Sequence, residues 1–180
     1  MPDLIAPTIR LHTAWLEARD DWGPGVHEDG FGLRPSDEVD SRAGFEAWVT
    51  CLAEDSDPAK VTEGGRVRCT YRWIVDGDRV LGGIALRHEF SDLGHLGYGI
   101  RPSARRRGLA TWALGRMLGE SKELGLDRVL TICAIDNVAS AKTIERNGGI
   151  LEGIHDTAHG PARRYWVEVG ETRQGSVDYG

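Results

Sequence analysis

The fold of this chain is constrained most by one turn, in which three consecutive arginines and a glycine separate a strand pattern from a helix pattern. The stretch His95-Leu-Gly-Tyr-Gly-Ile100 predicts a strand, Arg105-Arg-Arg-Gly108 a turn, and residues 109–124 an amphipathic helix. The apolar run 128–135 then predicts a further strand. This succession of strand, helix and strand predicts a β-loop-α-β unit.

The same turn is typical of an anion site. The first N–H groups of a helix have no intrahelical partner and carry the positive end of the helix dipole, so a diphosphate can satisfy them. Gly108 permits a close approach of the backbone, and the three arginines add positive charge. The spacing GxxxxGK[ST] is absent and no GxGxxG opens a dinucleotide fold, which removes the main support for nucleoside triphosphate or NAD binding.

The rest of the chain predicts a mixed sheet with flanking helices. Asp76-Gly-Asp78 between two apolar runs indicates a hairpin, and Ser41 is a candidate N-cap for a helix. Gly and Pro make residues 20–35 a predicted loop, and residues 4–11 a predicted short strand. Further predicted elements are a helix after Asn137, a strand at 150–154, and a strand at 165–169 that closes the sheet.

Composition narrows the classes of function. A chain of 180 residues with 40% hydrophobic residues predicts one globular domain, and a net charge of −6 argues against nucleic acid as the primary ligand. Residues 1–60 hold 13 acidic and 5 basic residues, which either solvate surface loops or attract a cationic ligand. Cys51, Cys69 and Cys133 are scattered and form no disulfide or metal pattern, which fits the cytoplasm. The sequence contains no run of eighteen apolar residues, so no membrane span is predicted.

Two motifs and three longer stretches give the chain a family resemblance. Arg105-Arg-Arg-Gly108-Leu-Ala110 matches the pattern [RQ]xxGx[GA], and Asn137-Val-Ala-Ser140 matches an Asn-x-x-Ser/Ala helix start. Both patterns are those of GNAT N-acetyltransferases, and the order of elements resembles that family from Val67 to Val169. The stretches Leu86-Arg-His-Glu89, Gly94–Ser103 and Lys142–Gly149 are similar to a bacterial subgroup known only as predicted acetyltransferases.

The resemblance implies a fold and a cofactor. The fold would be α/β of the α+β type, with a mixed central sheet of about six or seven strands, an antiparallel first half and splayed central strands. One domain would span 1–180, with an acceptor-side part at 1–66, an acetyl-CoA-binding core at 67–170 and a tail at 171–180. Acetyl-CoA would be bound without any metal. The implied cofactor-binding residues are Tyr98, Gly99 and Ile100 for pantetheine; Arg105, Arg106, Arg107, Gly108, Leu109, Ala110 and Thr111 for the pyrophosphate; and Asn137 and Ser140 beside the pantetheine and adenosine arm.

Catalysis in such enzymes is a direct attack of the acceptor amine on the thioester, which needs positioning, removal of a proton and stabilisation of an oxyanion. The titratable candidates for the base are His95, His88 and Glu89, which we expect at the strand ends closest to the turn Arg105–Gly108, here called the signature turn; a water relay is the alternative. The family's usual proton-donating Tyr is matched here by Ile144. Cys133, Tyr165 or unassisted departure of the thiolate therefore remain open.

The resemblance favours an N-acetyltransferase that uses acetyl-CoA and a primary amine of a small molecule or peptide, with a cationic acceptor slightly favoured. Two alternatives remain: a non-catalytic acyl-CoA sensor, and a transferase of a larger acyl group. Neither nucleic acid nor membrane is expected as a partner. A homodimer is expected through the strand 165–169.

Overall fold

A computed structural model describes residues 1–24, 30–60 and 67–170 of the chain. Its strands are β1 (Asp3–Ile5), β2 (Cys69–Asp76), β3 (Arg79–Arg87), β4 (Leu96–Ile100), β5 (Arg128–Ala134), β6 (Ile150–Thr157) and β7 (Gly160–Glu168). Its α-helices are α1 (His12–Trp22), α2 (Arg42–Ser56), α3 (Leu109–Glu123) and α4 (Val138–Arg146), and two short 3-10 helices lie at Ile9–Leu11 and Pro102–Ala104.

The seven strands form one mixed sheet in the order β1-β2-β3-β4-β5-β7-β6. Strands β1 to β4 are antiparallel neighbours, β4 and β5 run parallel, and β7 pairs antiparallel with both β5 and β6. Helix α3 makes the crossover from β4 to β5, as the strand, turn and helix pattern predicts. The expected fold class, with its antiparallel first half, is confirmed.

Local sequence signals fix the ends of the elements near the site. The Ser41 hydroxyl accepts the Gly44 N–H at 3.0 Å at the start of α2, and the Asn137 side chain accepts the Ser140 N–H at 3.0 Å at the start of α4. Both are N-caps of the kind that the sequence predicts. Gly77 adopts φ +59° between β2 and β3, which is why the hairpin needs glycine there.

Helices cover the two faces of the sheet unequally. Helices α1 and α2 pack on β3 and β2, around an aromatic cluster, while α3 and α4 pack on the opposite face against β3, β4, β5 and β7. The face that carries α1 and α2 has no comparable helix layer over β5, β7 and β6 within the described ranges. We call this uncovered side the open face. The aromatic cluster consists of Trp15, Phe31, Phe45, Trp48 and Trp73.

Three expectations about the elements are wrong. The strand at 165–169 does not close the sheet, because β7 pairs with β5 from Arg128↔Glu168 to Ala134↔Ala162 and leaves β6 at the edge. The strand predicted at 4–11 is only β1, because the Thr8 side chain accepts the Arg10 N–H and starts a 3-10 turn. The loop predicted at 20–35 starts later, because α1 continues to Trp22.

The predicted tail at 171–180 lies outside the described residues. Two findings concern the expectations about a membrane and a metal ion. In the ranges described, no helix is long and apolar enough to cross a membrane. In the same ranges, no three His, Cys, Asp or Glu side chains form a group that could hold a metal ion.

Candidate active site

A gap opens in the centre of the sheet between β4 and β5. The register between these parallel strands consists of one pair, Leu96↔Thr131, and the His95 N–H donates to the Leu130 carbonyl at 2.7 Å just before it. Beyond this point Tyr98, Gly99 and Ile100 have no partner on β5. Unpaired strand backbone is a template for another extended chain. The expected splay is thus present, with its closed end at Leu96 and its open end toward the signature turn.

The signature turn presents a row of free backbone donors. Arg106 and Gly108 both adopt left-handed conformations, with φ +63° and φ +73°, and Gly108 is the N-cap of α3 without a side-chain cap. Within the described part of the chain, the N–H groups of residues 106–111 make no hydrogen bond. Consecutive N–H groups in such conformations, at a helix N-terminus, form a concave anion site.

The three arginines of the turn differ in their roles. The Arg105 guanidinium Nε donates to the Ile100 carbonyl at 2.9 Å and so folds back on the end of β4. Arg106 and Arg107 are exposed to solvent. Arg106 holds its left-handed φ without being glycine, which is uncommon and concentrates at functional sites. Arg105 therefore shapes the turn, and the other two leave their charge available to an anion.

Tyr98 and Ser140 meet across the gap. The Tyr98 hydroxyl lies 2.7 Å from the Ser140 hydroxyl, which joins β4 to the first turn of α4. Burial raises the pKa of Tyr98 above its usual value, so the phenol keeps its proton. Thr131, the residue of β5 that pairs with Leu96, is 1% exposed, and among the described residues its hydroxyl has no hydrogen-bond partner. The sequence analysis assigned Tyr98 to pantetheine binding and not to proton transfer. The position of its phenol makes it a candidate proton donor as well.

The ring of His95 lies at the closed end of the gap, but one of its nitrogens is occupied. The Leu130 N–H donates to Nδ1 at 3.0 Å, so in the neutral ring Nε2 carries the proton. Burial, and secondarily the charge of Arg87, lowers the pKa of His95 and favours this neutral form. The ring therefore has no free lone pair with which to accept a proton from an amine.

His88 and Glu89 lie away from the gap. The His88 Nε2 is 2.8 Å from the Thr70 hydroxyl on the face that carries α3, and burial lowers its pKa. Glu89 is exposed in the loop between β3 and β4. The expectation that these residues stand at the strand ends closest to the signature turn is wrong: they precede β4, the turn follows it, and the length of β4 separates them.

The other groups considered as proton donors are packed into the sheet. The Tyr165 hydroxyl donates to Glu145 at 2.9 Å, and burial followed by this carboxylate raises the pKa of Tyr165 to about 12. Burial also raises the pKa of Cys133. Ile144 is fully buried in the core. These three residues hold α4 on the sheet.

Asp21 is a charged contact of the site that the sequence reasoning missed. One of its carboxylate oxygens accepts from the Arg101 Nε at 2.7 Å and from the Ser103 hydroxyl at 2.6 Å. Arg101 and Ser103 lie directly between β4 and the signature turn. The residue escaped notice because the glycines and prolines downstream placed it in a predicted loop, whereas it belongs to the last turn of α1.

A comparison with protein families matches residues 32–150 to the model described as an acetyltransferase (GNAT) domain. No curated protein matches the sequence significantly. The matched segment includes the gap, the signature turn and the start of α4, and it spans well over half of the chain.

Solved structures resemble the whole fold at low sequence identity. A microcin C7 self-immunity acetyltransferase in complex with acetyl-CoA and AMP has a TM-score of 0.66 at 15% identity, covering 93% of this chain and 92% of that chain. An acetyltransferase of Salmonella typhimurium that modifies the N-terminal serine of ribosomal protein L7/L12 has a TM-score of 0.68 at 16% identity, covering 94% and 95%. A ribosomal L7/L12 α-N-protein acetyltransferase in complex with coenzyme A has a TM-score of 0.70 at 16% identity, covering 93% of both chains.

Proposed function

The chain belongs to the GNAT acetyltransferase family, and from that premise we propose that it moves the acetyl group of acetyl-CoA to a primary amine of a small molecule or peptide. The observation that carries the proposal is the junction of the free N–H row at residues 106–111 with the segment Tyr98 to Ile100, which pairs with β3 but not with β5. A diphosphate on the row directs a pantetheine arm into the gap. The thioester then lies near the closed end at Leu96 and Thr131.

The cofactor residues divide into three groups. The N–H groups of residues 106–111, with the exposed charges of Arg106 and Arg107, hold the diphosphate. The free backbone groups of β4 pair with the amides of pantetheine, as an added strand does. Asn137 and Ser140 border the arm from α4, where Asn137 caps the helix and Ser140 contacts Tyr98.

The reaction uses a ternary complex in which the acceptor approaches the gap from the open face. The amine nitrogen bonds to the thioester carbonyl carbon, a backbone N–H of β4 stabilises the oxyanion, and the carbon–sulfur bond then breaks. The electron pair of that bond leaves with sulfur as a thiolate. We assign Tyr98 as the group that gives its proton to the thiolate, because its neutral phenol lies beside the gap; the phenolate that remains takes a proton back from solvent, which has received the amine proton.

Removal of the amine proton is assigned to solvent on the open face. Three titratable groups were expected near the strand ends. The unprotonated nitrogen of His95 already accepts the Leu130 N–H, His88 lies on the other face of the sheet, and Glu89 is exposed in a loop. None of them offers a placed lone pair at the gap. A water relay requires only that solvent reaches the gap from the open face above β5.

The acceptor class is proposed as a primary amine that is borne by a peptide or a small molecule. Peptide amines are supported by the likeness to enzymes that modify the N-terminal serine of a ribosomal protein. A small-molecule acceptor is supported by the likeness to a microcin C7 self-immunity acetyltransferase, whose structure holds AMP as well as acetyl-CoA. The acidic composition of residues 1–60 favours acceptors with a second positive charge.

We also propose a homodimer in the cytoplasm. Strand β6 is the sheet edge and exposes Ile150, Leu151 and Ile154, which favours pairing with a second copy along this edge rather than through β7. No disulfide joins Cys51, Cys69 and Cys133, the three cysteines of the sequence, which supports a reducing compartment.

The first experiment measures CoA release with a thiol reagent at saturating acetyl-CoA, across a panel of amines. The panel contains peptides that begin with serine, the same peptides with a blocked N-terminus, and small mono- and diamines. Calorimetric titration of acetyl-CoA runs in parallel. The control is Gly108→Asp: a Cβ at Gly108 meets no atom within 4 Å, and Asp is one of the side chains that adopt a φ such as the +73° found here with least strain, so the substitution chiefly places a negative charge in the space proposed for the diphosphate.

We expect amine-dependent release by the wild-type protein and its loss in Gly108→Asp together with the loss of binding. Binding of acetyl-CoA without release on any amine would favour the acyl-CoA sensor over the enzyme. Faster release from a longer acyl-CoA than from acetyl-CoA would favour a transferase of larger groups. Absence of binding by the wild-type protein would contradict the proposed cofactor site.

A further inference from the structure

The segment that leads from β4 into the signature turn is held by one carboxylate of another helix. Asp21 Oδ2 accepts three hydrogen bonds: from Arg101 Nε at 2.7 Å, from the Ser103 hydroxyl at 2.6 Å and from the Ser103 N–H at 3.2 Å. Arg101 and Ser103 flank the start of a 3-10 turn at Pro102–Ala104. The carboxylate therefore fixes the backbone immediately before the free N–H row.

Arg101 extends this contact across three elements. Its guanidinium also donates to the Val80 carbonyl at 3.2 Å and to the Glu17 carbonyl at 3.3 Å, and its backbone N–H donates to Leu81 at 2.9 Å. The side chain of Arg101 is 11% exposed and that of Asp21 is 23% exposed. An ion pair so placed keeps its geometry better than a fully solvated pair does.

The position of Asp21 is not explained by the stability of α1. The residue lies in the last turn of the helix, where the dipole disfavours a negative charge. Its neighbour Asp20 is 70% exposed, and within the described ranges its carboxylate pairs with Arg19 of the same helix turn and with no other cation. The hydrogen bonds of Ser103 and Arg101 keep the pKa of Asp21 low, at about 2, so the carboxylate stays charged at every pH used for an assay.

We infer that Asp21 is a positioning residue for the diphosphate of the cofactor: it acts through Arg101 and Ser103 to hold the signature turn in the shape that presents the N–H row. Asp21 lies on α1, in the acceptor-side part of the chain, while the turn belongs to the cofactor side. The contact thus makes the affinity for CoA depend on a residue far away in sequence. This inference rests on the proposed use of acetyl-CoA.

The test compares two binding measurements on matched variants. Asp21→Asn keeps the size of the side chain and removes its charge, and Asp20→Asn makes the same change one residue away at the Arg19 pair. Ser103→Ala removes one donor at an exposed position and so does not threaten folding. Each variant is titrated with CoA and with S-acetylpantetheine, which lacks the diphosphate, and urea midpoints report stability.

We expect Asp21→Asn to weaken CoA binding by about tenfold, or about 1.4 kcal/mol, since the amide lacks the charge that strengthens the hydrogen bonds from Arg101 and Ser103. Ser103→Ala should weaken it by a smaller factor in the same direction. Binding of S-acetylpantetheine should be unchanged in both, and Asp20→Asn should bind both ligands like the wild type. The Asp21→Glu variant should recover part of the CoA affinity.

Two outcomes would overturn the inference. One is CoA binding by Asp21→Asn as tight as that by Asp20→Asn. The other is an equal loss of affinity for CoA and S-acetylpantetheine, which would mean that Asp21 supports the fold rather than the diphosphate site. Failure of the wild-type protein to bind CoA would contradict the proposed function instead, so the two failures are distinguishable.

Discussion

At the scale of single residues, His95 shows how one hydrogen bond changes the role that a side chain can have. Its position at the closed end of the gap suits a base, and its ordinary pKa is the most suitable among the side chains. The Leu130 N–H nevertheless occupies Nδ1 and leaves only the protonated Nε2. A histidine in this state joins β4 to β5 and accepts no proton.

This assignment predicts different results for two substitutions. The amide oxygen of His95→Asn can still accept the Leu130 N–H, so we expect turnover within about threefold of the wild type and an unchanged pH profile. His95→Ala leaves a buried N–H without a partner, which should cost about 1–3 kcal/mol of unfolding free energy. Urea unfolding and a pH series of CoA release check both. If His95→Asn removes one limb of the pH profile, His95 is the base and the assignment made here is wrong.

The phenol of Tyr98 gives a second prediction at this scale. In Tyr98→Phe we expect kcat to fall by about tenfold with little change in KM for acetyl-CoA, because a thiolate leaves without help better than an amine but gains from a proton. Tyr165→Phe is the matched control, since its phenol contacts Glu145 and should affect stability rather than turnover. Equal kcat in Tyr98→Phe and the wild type would remove Tyr98 as the acid.

At the scale of elements, sequence patterns predicted the individual helices and strands better than they predicted which strands are neighbours in the sheet. Capping residues and periodicity placed α2, α3 and α4 within one or two residues, and Asp76-Gly-Asp78 placed the first hairpin. The order of β6 and β7 was not predictable, because both candidate strands are short apolar runs and either can pair with β5. The role of Asp21 was hidden for a related reason: its partners lie about 80 residues away, beyond any local pattern.

The edge strand β6 predicts how the protein associates. Ile154 is 56% exposed on this edge, and Ile154→Lys should weaken self-association by about tenfold or more, because burying an unpaired ammonium in an apolar contact costs more than the gain of pairing. Leu124→Lys is the control, as Leu124 is 45% exposed at the end of α3. Sedimentation velocity measures the dimer fraction. A monomeric wild-type protein would contradict the proposed dimer.

At the scale of the whole molecule, two partly buried histidines make stability depend on pH. Burial lowers the pKa of both His88 and His95 in the folded protein, whereas in the unfolded chain a histidine titrates near 6.5. Below that pH the unfolded state binds more protons than the folded state, so the unfolding free energy falls as pH decreases.

The measurement is a series of urea midpoints between pH 7.5 and 5.5. We expect the midpoint to decrease below pH 6.5 in the wild type and to vary less in the double variant His88→Gln, His95→Asn, whose amides can keep the bonds to Thr70 and Leu130. An equal slope in both proteins would show that other groups govern the acid limb.

The gap between β4 and β5 has a further consequence for the unliganded protein. A seven-stranded sheet normally has two outer edges to protect from other chains, but here the backbone of Tyr98 to Ile100 adds an edge inside the sheet. The defences of outer edges, such as prolines, bulges or lysines, are absent there, since the segment is Tyr-Gly-Ile. The unliganded protein therefore leaves this inner edge available for pairing with a foreign extended peptide. In the proposed complex the pantetheine arm occupies the same backbone groups, so the cofactor would protect this inner edge from other chains as well as serve as a substrate.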